Sequence, residues 1–151
     1  MTWVSHRLLT GTVVAIATHN IGAVIASVVG SVFPDRIEQW FLGSWQRHHR
    51  KTSHWWILYL LPCVVICMMF RKTYGVYPWQ WNLHFQPLFL AFWFFVGCII
   101  HILEDSICGK IPVFDPHKPK YLFPRLFYTG SFGETVFVIL CVSILLKQFV
   151  F

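Results

Sequence analysis

The segment Leu8–Phe33, LLTGTVVAIATHNIGAVIASVVGSVF, decides the fold because it is long and apolar, yet polar residues interrupt its centre. The interruption is THNIG, at residues 18–22. A histidine and an asparagine at mid-membrane would be costly on a plain spanning helix. In one interpretation the segment is a single helix on which His19 and Asn20 face other helices. In the interpretation that we favour, two half-helices joined at this break form a hairpin with both ends on one side, and surrounding protein buries the re-entrant backbone.

The composition and three further apolar stretches indicate an all-α integral membrane protein. Of the 151 residues, 56% are hydrophobic and only 12% are charged, whereas a soluble domain has roughly 25% charged residues. The further stretches are Trp55–Phe70, Phe85–Leu103 and Thr135–Phe151. A spanning helix needs about 20 residues, so the first and last of these are short but usable with aromatic residues at the interfaces. We expect a helical bundle of about four hydrophobic segments that forms one membrane-embedded domain over residues 1–151.

The positive charge suits a membrane protein better than a nucleic-acid-binding protein. The formal net charge is +6 and no nucleic-acid-binding motif accompanies it, whereas lysine and arginine in loops set membrane topology and meet anionic headgroups. With the hairpin, nine cationic residues lie on the side of Asp35 and three on the other, and with a single span the division is eight to four. Both divisions make the Asp35 side cytoplasmic. We expect membrane lipids as partners, no nucleic acid, and either a homo-oligomer or another membrane protein.

The acidic residues lie at the ends of the apolar stretches or in the loops between them, close to several histidines. A carboxylate in hydrocarbon is expensive and tends to be functional, and histidines and carboxylates that converge from separate segments suggest a metal site. The acidic residues are Asp35, Glu38, Glu104, Asp105, Asp115 and Glu134, and the histidines beside them are His6, His49, His54 and His101. The sequence contains no GxSxG, Walker or HExxH motif, so serine-hydrolase chemistry has little support.

His101 and Asp105 are the clearest candidate ligand pair, because positions i and i+4 share one face of a helix. The alternative is an imidazole–carboxylate contact that only ends the helix. Glu104 points about 100° away from that face, so we expect it to meet solvent. Asp35 follows Pro34 at the end of an apolar run, where it is either a ligand or the cap of a turn.

Two further motifs contain candidate catalytic residues. The stretch at residues 48–55, HHRKTSHW, contains Arg50, which would hold a phosphate or carboxylate through its planar guanidinium. Its simpler interpretation is a solvated basic segment next to the membrane. The stretch at residues 130–134, GSFGE, brings Glu134 to the start of the last helix. A carboxylate stabilises the N-terminus of a helix in any case. The more specific interpretation is that Glu134 has a catalytic role.

In this order, the motifs resemble the YdjM-like family of LexA-regulated, inner-membrane-associated metal-dependent hydrolases. The resemblance covers nearly the whole chain, and the order and spacing of the motifs carry its specificity. It rests on His6 before the first apolar run, Pro34-Asp35 after it, the element His49–Trp55, the pair His101 and Asp105 followed by Gly109–Pro112, and Gly130 with Glu134. A second aspartate that the family often has two residues after the first is replaced here by Ile37, and Glu38 lies one residue further on.

The resemblance implies a multi-pass protein of the cell inner membrane that hydrolyses a lipid or a lipid-linked phosphoester at the membrane interface. It would use a divalent metal, and histidine-rich ligation favours zinc over the alternatives manganese and iron. The expected metal ligands are His6, Asp35, His54, His101 and Asp105. The expected catalytic residues are Glu134 as general base, His49 as a further ligand or proton shuttle, and Arg50 for orienting the phosphate.

The sequence alone leaves two other functions open. A non-catalytic membrane subunit would anchor a larger assembly and would have a structural or vestigial metal site, which the replacement at Ile37 favours. An ion transporter would use His19 and Asn20 near the midplane, in a broken helix.

Overall fold

The computed structural model describes residues 1–42, 52–81 and 85–150, and among these residues the secondary structure is helical. An antiparallel bridge between Ile111 and Lys120 is the one β-type pairing within these ranges. The α-helices are α1 (Trp3–Thr18), α2 (Ile21–Gly30), α3 (Phe33–Leu42), α4 (Ile57–Tyr74), α5 (Pro87–Cys108) and α6 (Phe132–Val150), and short 3₁₀ turns lie at Thr52–His54 and Pro78–Gln80. The all-helical prediction therefore matches the described part of the chain.

The polar break in the first apolar segment separates α1 from α2. His19 takes the left-handed conformation, with φ 50°, and its N–H donates to the carbonyl of Ala15. Asn20 then caps α2, since its side chain accepts a hydrogen bond from the N–H of Ala23 at 3.2 Å. A polar side chain that caps a helix satisfies a backbone donor that would otherwise have no partner. The two helices pack as an antiparallel hairpin, which agrees with the two-arm interpretation.

Helices α2 and α5 pack so closely that their backbones touch. A Cβ atom added to Gly30 would lie 2.0 Å from the carbonyl oxygen of Phe94, and one added to Gly97 would lie 2.1 Å from that of Ser27. Small residues allow this approach in membrane helices, where packing rather than hydrophobicity drives association. The contact fixes the C-terminal end of α2 against the second half of α5.

Helices α4 and α5 are the two helices within the described residues that are long and apolar enough to cross a membrane. The outer face of α4 is strongly apolar and exposed, as Leu61, Val65 and Met68 are each about half exposed or more. An exposed apolar surface of this extent is typical of a lipid or protein contact. The expected four-segment bundle is thus supported for two of its segments by length and composition.

The two ends of the α4–α5 pair differ in chemistry. At the polar end, defined by His6, Asp35, His54 and Asp105, the buried side chains are titratable. At the aromatic end, defined by Phe70, Tyr74 and Trp81, three rings pack together with centroid separations of 4.7 to 5.2 Å. The hairpin of α1 and α2 begins and finishes at the polar end, which brings His6 and Asp35 to the same side of the molecule.

A candidate metal centre at the polar end

Five side chains from four separate elements meet at the polar end, and all of them are buried. They are His6 from α1, Asp35 from α3, His54 from the Thr52–His54 turn, and His101 and Asp105 from α5, with relative exposures of 0 to 3%. Buried ionisable groups are costly unless they pair with one another or bind a metal. The predicted ligand residues therefore lie together, although they are spread over 100 positions of the sequence.

Four of these residues present ligand atoms at a spacing that fits one metal ion. Single atoms of Asp35, His54, His101 and Asp105 all lie within 4.8 Å of one another. The Nε2 atoms of His54 and His101 are 3.2 Å apart. Asp35 Oδ1 lies 3.3 Å from His54 Nε2 and 3.7 Å from His101 Nε2. Metal–ligand bonds of about 2.0–2.2 Å in a tetrahedron place the ligand atoms roughly 3.3 Å apart, so the observed separations need only small adjustments.

Each of the three histidines has its Nδ1 atom fixed by an acceptor and its Nε2 atom turned towards this group. His54 Nδ1 donates to Glu38 at 3.2 Å, and His6 Nδ1 to Glu104 at 2.5 Å. His101 Nδ1 donates to the carbonyl oxygen of Ser31 at 2.6 Å. Metal-binding histidines usually donate their other ring N–H to a carboxylate or carbonyl, which fixes the tautomer and the ring orientation. All three rings here are arranged in that way.

The carbonyl that holds His101 is available because of how α2 ends. The last carbonyls of a helix have no partner within the helix, and Ser31 directly follows the last residue of α2. The close contact at Gly30 and Gly97 brings this end of α2 onto α5. The orientation of the His101 ring therefore depends on the small residues that let the two helices touch.

His6 lies beside the four-residue group and contacts it through Asp105. Its Nε2 atom is 3.4 Å from Asp105 Oδ1, and its ring stacks on His101 with centroids 3.9 Å apart. The same Asp105 oxygen also contacts the Met1 nitrogen. Within the described residues, His6 Nε2 is a buried atom with no hydrogen bond. A buried ring nitrogen in that position suits a metal ligand, since every buried polar atom needs a partner.

Glu104 does not face solvent, so that prediction is wrong. The residue is 7% exposed, and its carboxylate is bonded to His6 Nδ1 at 2.5 Å and to the hydroxyl of Thr10 at 3.2 Å. The α1 helix lies over this face of α5 and supplies both partners. Glu104 precedes Asp105 by one residue, a rotation of about 100° around α5, and that rotation directs it to α1 and not to water.

The buried aspartates and histidines shift one another's pKa values. Burial alone would raise the pKa of Asp35, but the hydrogen bond with His54 and the positive charge of His54 bring it below its ordinary value. Burial would lower the pKa of His54, but hydrogen bonds with Asp105, Asp35 and Glu38 raise it well above its ordinary value. A metal at His54 Nε2 must therefore displace a firmly held proton, as ligation requires the neutral ring.

Comparison with known proteins shows the family to which the chain belongs. Residues 1–150 match the family model described as YdjM inner membrane protein. The chain belongs to that family. No curated protein and no solved structure matches the chain. Because the family is one of inner membrane proteins, the apolar faces of α4 and α5 have a consistent explanation. The buried group lies at one end of these two candidate membrane helices.

Of the predicted catalytic residues of this YdjM family member, only Glu134 falls within the described part. Its carboxylate accepts hydrogen bonds from Thr2 N–H at 2.7 Å, from the Ser5 hydroxyl at 2.5 Å and from Gly130 N–H at 2.8 Å. These bonds attach the start of α6 to the start of α1, which carries His6. Gly130 has φ 75°, a conformation that favours glycine, which explains the glycine four residues before the glutamate. The role of Glu134 as a general base stays a prediction.

His49 and Arg50 lie outside the described residues, so their predicted roles also stay predictions.

Sequence analysis missed several residues that support the centre. Trp3 donates from its indole nitrogen to Asp35 Oδ2 at 2.8 Å, and Ser53 donates from its hydroxyl to Glu38. Tyr59 donates to the Ser53 carbonyl at 2.6 Å, which fixes the turn that carries His54. The spacing of Asp35 and Glu38, three apart on one helix face, was an available signal. The position of Trp3 could only follow from the hairpin geometry.

Proposed function

We propose that the protein is a membrane-bound, metal-dependent hydrolase that acts on a lipid or lipid-linked phosphoester at the membrane interface. The observation that carries the proposal is the convergence of three histidine Nε2 atoms with two aspartates, while an acceptor holds each Nδ1. Such an arrangement combines ligand atoms with the outer hydrogen bonds that tune a metal centre. Family membership supports the membrane part of the proposal.

The proposed arrangement in the membrane has four hydrophobic segments in one multi-pass domain. Helices α4 and α5 cross the bilayer, the α1–α2 hairpin enters from the polar end, and α6 completes the bundle. The α1 and α2 arms would be about 24 and 15 Å long at 1.5 Å per residue, so the hairpin tip stays within the membrane. The excess of lysine and arginine on the Asp35 side supports a cytoplasmic position for the centre.

We propose zinc as the metal, with manganese and iron as alternatives. The four-residue group offers two imidazoles and two carboxylates, which suits zinc because zinc is bound by histidine nitrogen and aspartate oxygen in tetrahedral sites. When bound, a divalent ion in such a site lowers the pKa of a water and polarises a phosphoryl oxygen. The chain's own contribution is orientation: Glu38 and Glu104 hold His54 and His6 in one tautomer. In this proposal Arg50 orients the phosphate, and His49 and Glu134 move protons.

A lipid substrate is supported by an apolar cavity next to the centre. The cavity has a volume of about 250 Å³ and only apolar residues line it, namely Trp56, Ile99, Ile102, Leu103, Ile111, Val113 and Leu122. Trp56 follows His54 by two residues, and Ile102 directly follows His101, so the cavity and the centre share the same turn and the same helix. An acyl chain suits a cavity of this chemistry, since apolar pockets orient ligands through a few neighbouring polar groups.

A second candidate is a non-catalytic membrane subunit with a structural metal. The observation in its favour is burial, because the five converging side chains are all at most 3% exposed. Structural metal sites are closed, whereas catalytic sites keep one position open for water or substrate.

Metal content and turnover of the purified protein would distinguish the two candidates. The key variants are Asp105→Asn and the double variant His101→Ala/Asp105→Ala. The matched control is Asp115→Ala/His117→Ala, which removes the same residue types from an exposed loop. We expect about one metal per chain or more in the wild type and the control, and a loss in the double variant. Phosphate or phosphoalcohol release would be measured in mixed micelles of phosphatidic acid or phosphatidylcholine.

The hydrolase and the structural subunit predict different results for the wild type and for Asp105→Asn. Turnover in the wild type, abolished in a stable Asp105→Asn protein, supports the hydrolase. Metal without turnover, together with a destabilised Asp105→Asn protein, supports the structural subunit. A well-folded wild type that neither contains nor takes up a transition metal would exclude both metal-based candidates.

A further inference from the structure

The positively charged side chain of Arg36 contacts the candidate metal centre indirectly, through the indole ring of Trp3. Its guanidinium carbon lies 4.3 Å from the centroid of the Trp3 ring. The indole nitrogen of Trp3 in turn donates to Asp35 Oδ2 at 2.8 Å. Both Arg36 and Trp3 are half-buried, whereas Asp35 is buried. The three residues therefore lead from the surface of the protein to a member of the four-residue group.

The N–H groups of Arg36 are available for a ligand. Stacking on an aromatic ring uses the face of the guanidinium and leaves the hydrogen-bond donors at its edge. The neighbouring carboxylates pair with histidines: Asp35 with His54 and His101, and Glu38 with His54. Within the described residues, the Arg36 side chain has no ion pair or hydrogen bond. The Trp3 ring thus fixes the position of the guanidinium, and its N–H donors have no partner among the described residues.

The charge of the centre explains why a second cation is useful there. The two carboxylates of Asp35 and Asp105 balance the charge of one divalent ion, and two more carboxylates, Glu38 and Glu104, lie behind the histidines. An anionic ligand that approached this centre would gain little net attraction without another positive group. A guanidinium binds phosphate oxygens in a bidentate manner, which suits a phosphoryl group at the surface of the centre.

We propose that Arg36 is a further residue, beside the Arg50 of the proposed function, that binds the phosphoryl group of the ligand at this centre. This inference rests on the proposed function, because the metal centre supplies the second contact to the same group. The phosphoryl group belongs either to a lipid headgroup or to a soluble phosphate. Trp3 positions Arg36 relative to Asp35 and thereby sets the distance between the guanidinium and the centre.

Binding of inorganic phosphate to the metal-loaded, full-length protein in mild detergent tests this role. The variants are Arg36→Gln and Arg36→Lys, and metal content is measured on the same samples. Arg71→Gln is the matched control, since Arg71 stacks on Tyr77 at the same 4.3 Å but lies at the other end of α4. Arg7→Gln is a second control, since Arg7 is exposed next to His6 without a stacking partner among the described residues.

We expect Arg36→Gln to weaken phosphate binding at least tenfold with unchanged metal content, and both controls to bind as the wild type does. Arg36→Lys should give an intermediate loss, because an ammonium keeps the charge but not the bidentate geometry. Equal binding by wild type and Arg36→Gln would overturn the proposal, as would a wild type that binds no phosphate. Loss of metal in both Arg36 variants would also overturn it, because Arg36 would then act by holding Asp35.

A second arm identifies the source of the phosphoryl group. Phosphatidic acid in phosphatidylcholine nanodiscs should compete with inorganic phosphate for the wild type if the ligand is a lipid headgroup. Absence of competition would assign the site to soluble phosphate, and both results uphold the role of Arg36. If phosphate binds through Arg36 but no phosphoester is hydrolysed, the proposed function fails while this inference stands.

Discussion

The polar end and the aromatic end of the α4–α5 pair are stabilised by different kinds of interaction. At the aromatic end, Phe70 is fully buried and packs against Tyr74 and Trp81. Stability there comes from the ring contacts and from the burial of apolar surface. At the polar end, His54 and Asp105 are equally buried, and each needs a partner of opposite charge or a metal. The aromatic end should therefore be stable whatever ion is present, whereas the polar end should depend on what binds to it.

Truncating Phe70 should produce the largest loss of stability and leave the candidate metal centre intact. Phe70→Ala removes a fully buried ring, a change that typically costs about 3–5 kcal/mol. Unfolding by denaturing detergent would measure the loss, and elemental analysis would measure the metal. Met68→Ala, on the exposed face of α4, is the control and should cost much less. A Phe70→Ala protein that loses its metal would show that the two ends are coupled and would break the comparison.

Adding a methyl group at Gly97 should disturb the polar end through the backbone. The new Cβ would lie 2.1 Å from the Ser27 carbonyl oxygen, so α2 must move away from α5. Overpacking of this kind typically costs about 1–3 kcal/mol. The shift should also lengthen the bond from His101 to the Ser31 carbonyl and so weaken metal binding.

The control for Gly97→Ala is Gly133→Ala, because a Cβ at Gly133 would meet only ordinary contacts, the nearest at 3.4 Å. Thermal unfolding and metal titration of both variants would check the prediction. Normal metal affinity in a destabilised Gly97→Ala protein would mean that the orientation of His101 does not depend on the α2–α5 contact.

Features that depend on local sequence can be predicted from the chain alone, whereas features that depend on packing between distant segments cannot. The hairpin break at His19 and Asn20 is predictable because helix caps are local, and the pairing of His101 with Asp105 follows from helical spacing. Helix α3 was not predicted, although Pro34 and Asp35 in its first turn are helix-start signals. The burial of Glu104 could not be predicted because it depends on which helix covers α5, and that is a property of packing between distant segments.

Replacing Glu38 should sharpen the comparison by weakening metal binding without removing a ligand. Glu38→Gln keeps the size of the side chain but loses the charge that His54 Nδ1 and the Ser53 hydroxyl contact. Loss of such an outer partner typically costs about 10–100-fold in metal affinity. Competition with a chromogenic chelator would measure the affinity. Gln39→Glu, at the neighbouring exposed position, is a control for charge alone, and equal affinities in wild type and Glu38→Gln would contradict the role of Glu38.

Replacing Trp3 by phenylalanine should give the smallest effect and isolate one hydrogen bond. Trp3→Phe keeps a ring beneath Arg36 but removes the N–H that donates to Asp35 at 2.8 Å. A hydrogen bond to a charged group contributes about 1.5–3 kcal/mol at most, and this half-buried one should lie at the lower end. Asp35 should then hold a metal about tenfold more weakly, by the same chelator competition. Trp79→Phe, at an exposed ring near the aromatic end, should change nothing. If Trp3→Phe left the affinity unchanged, the contacts of Asp35 with the histidines alone would suffice to position it. The polar end would then depend less on the residues that hydrogen-bond its candidate ligands than the aromatic end depends on its rings.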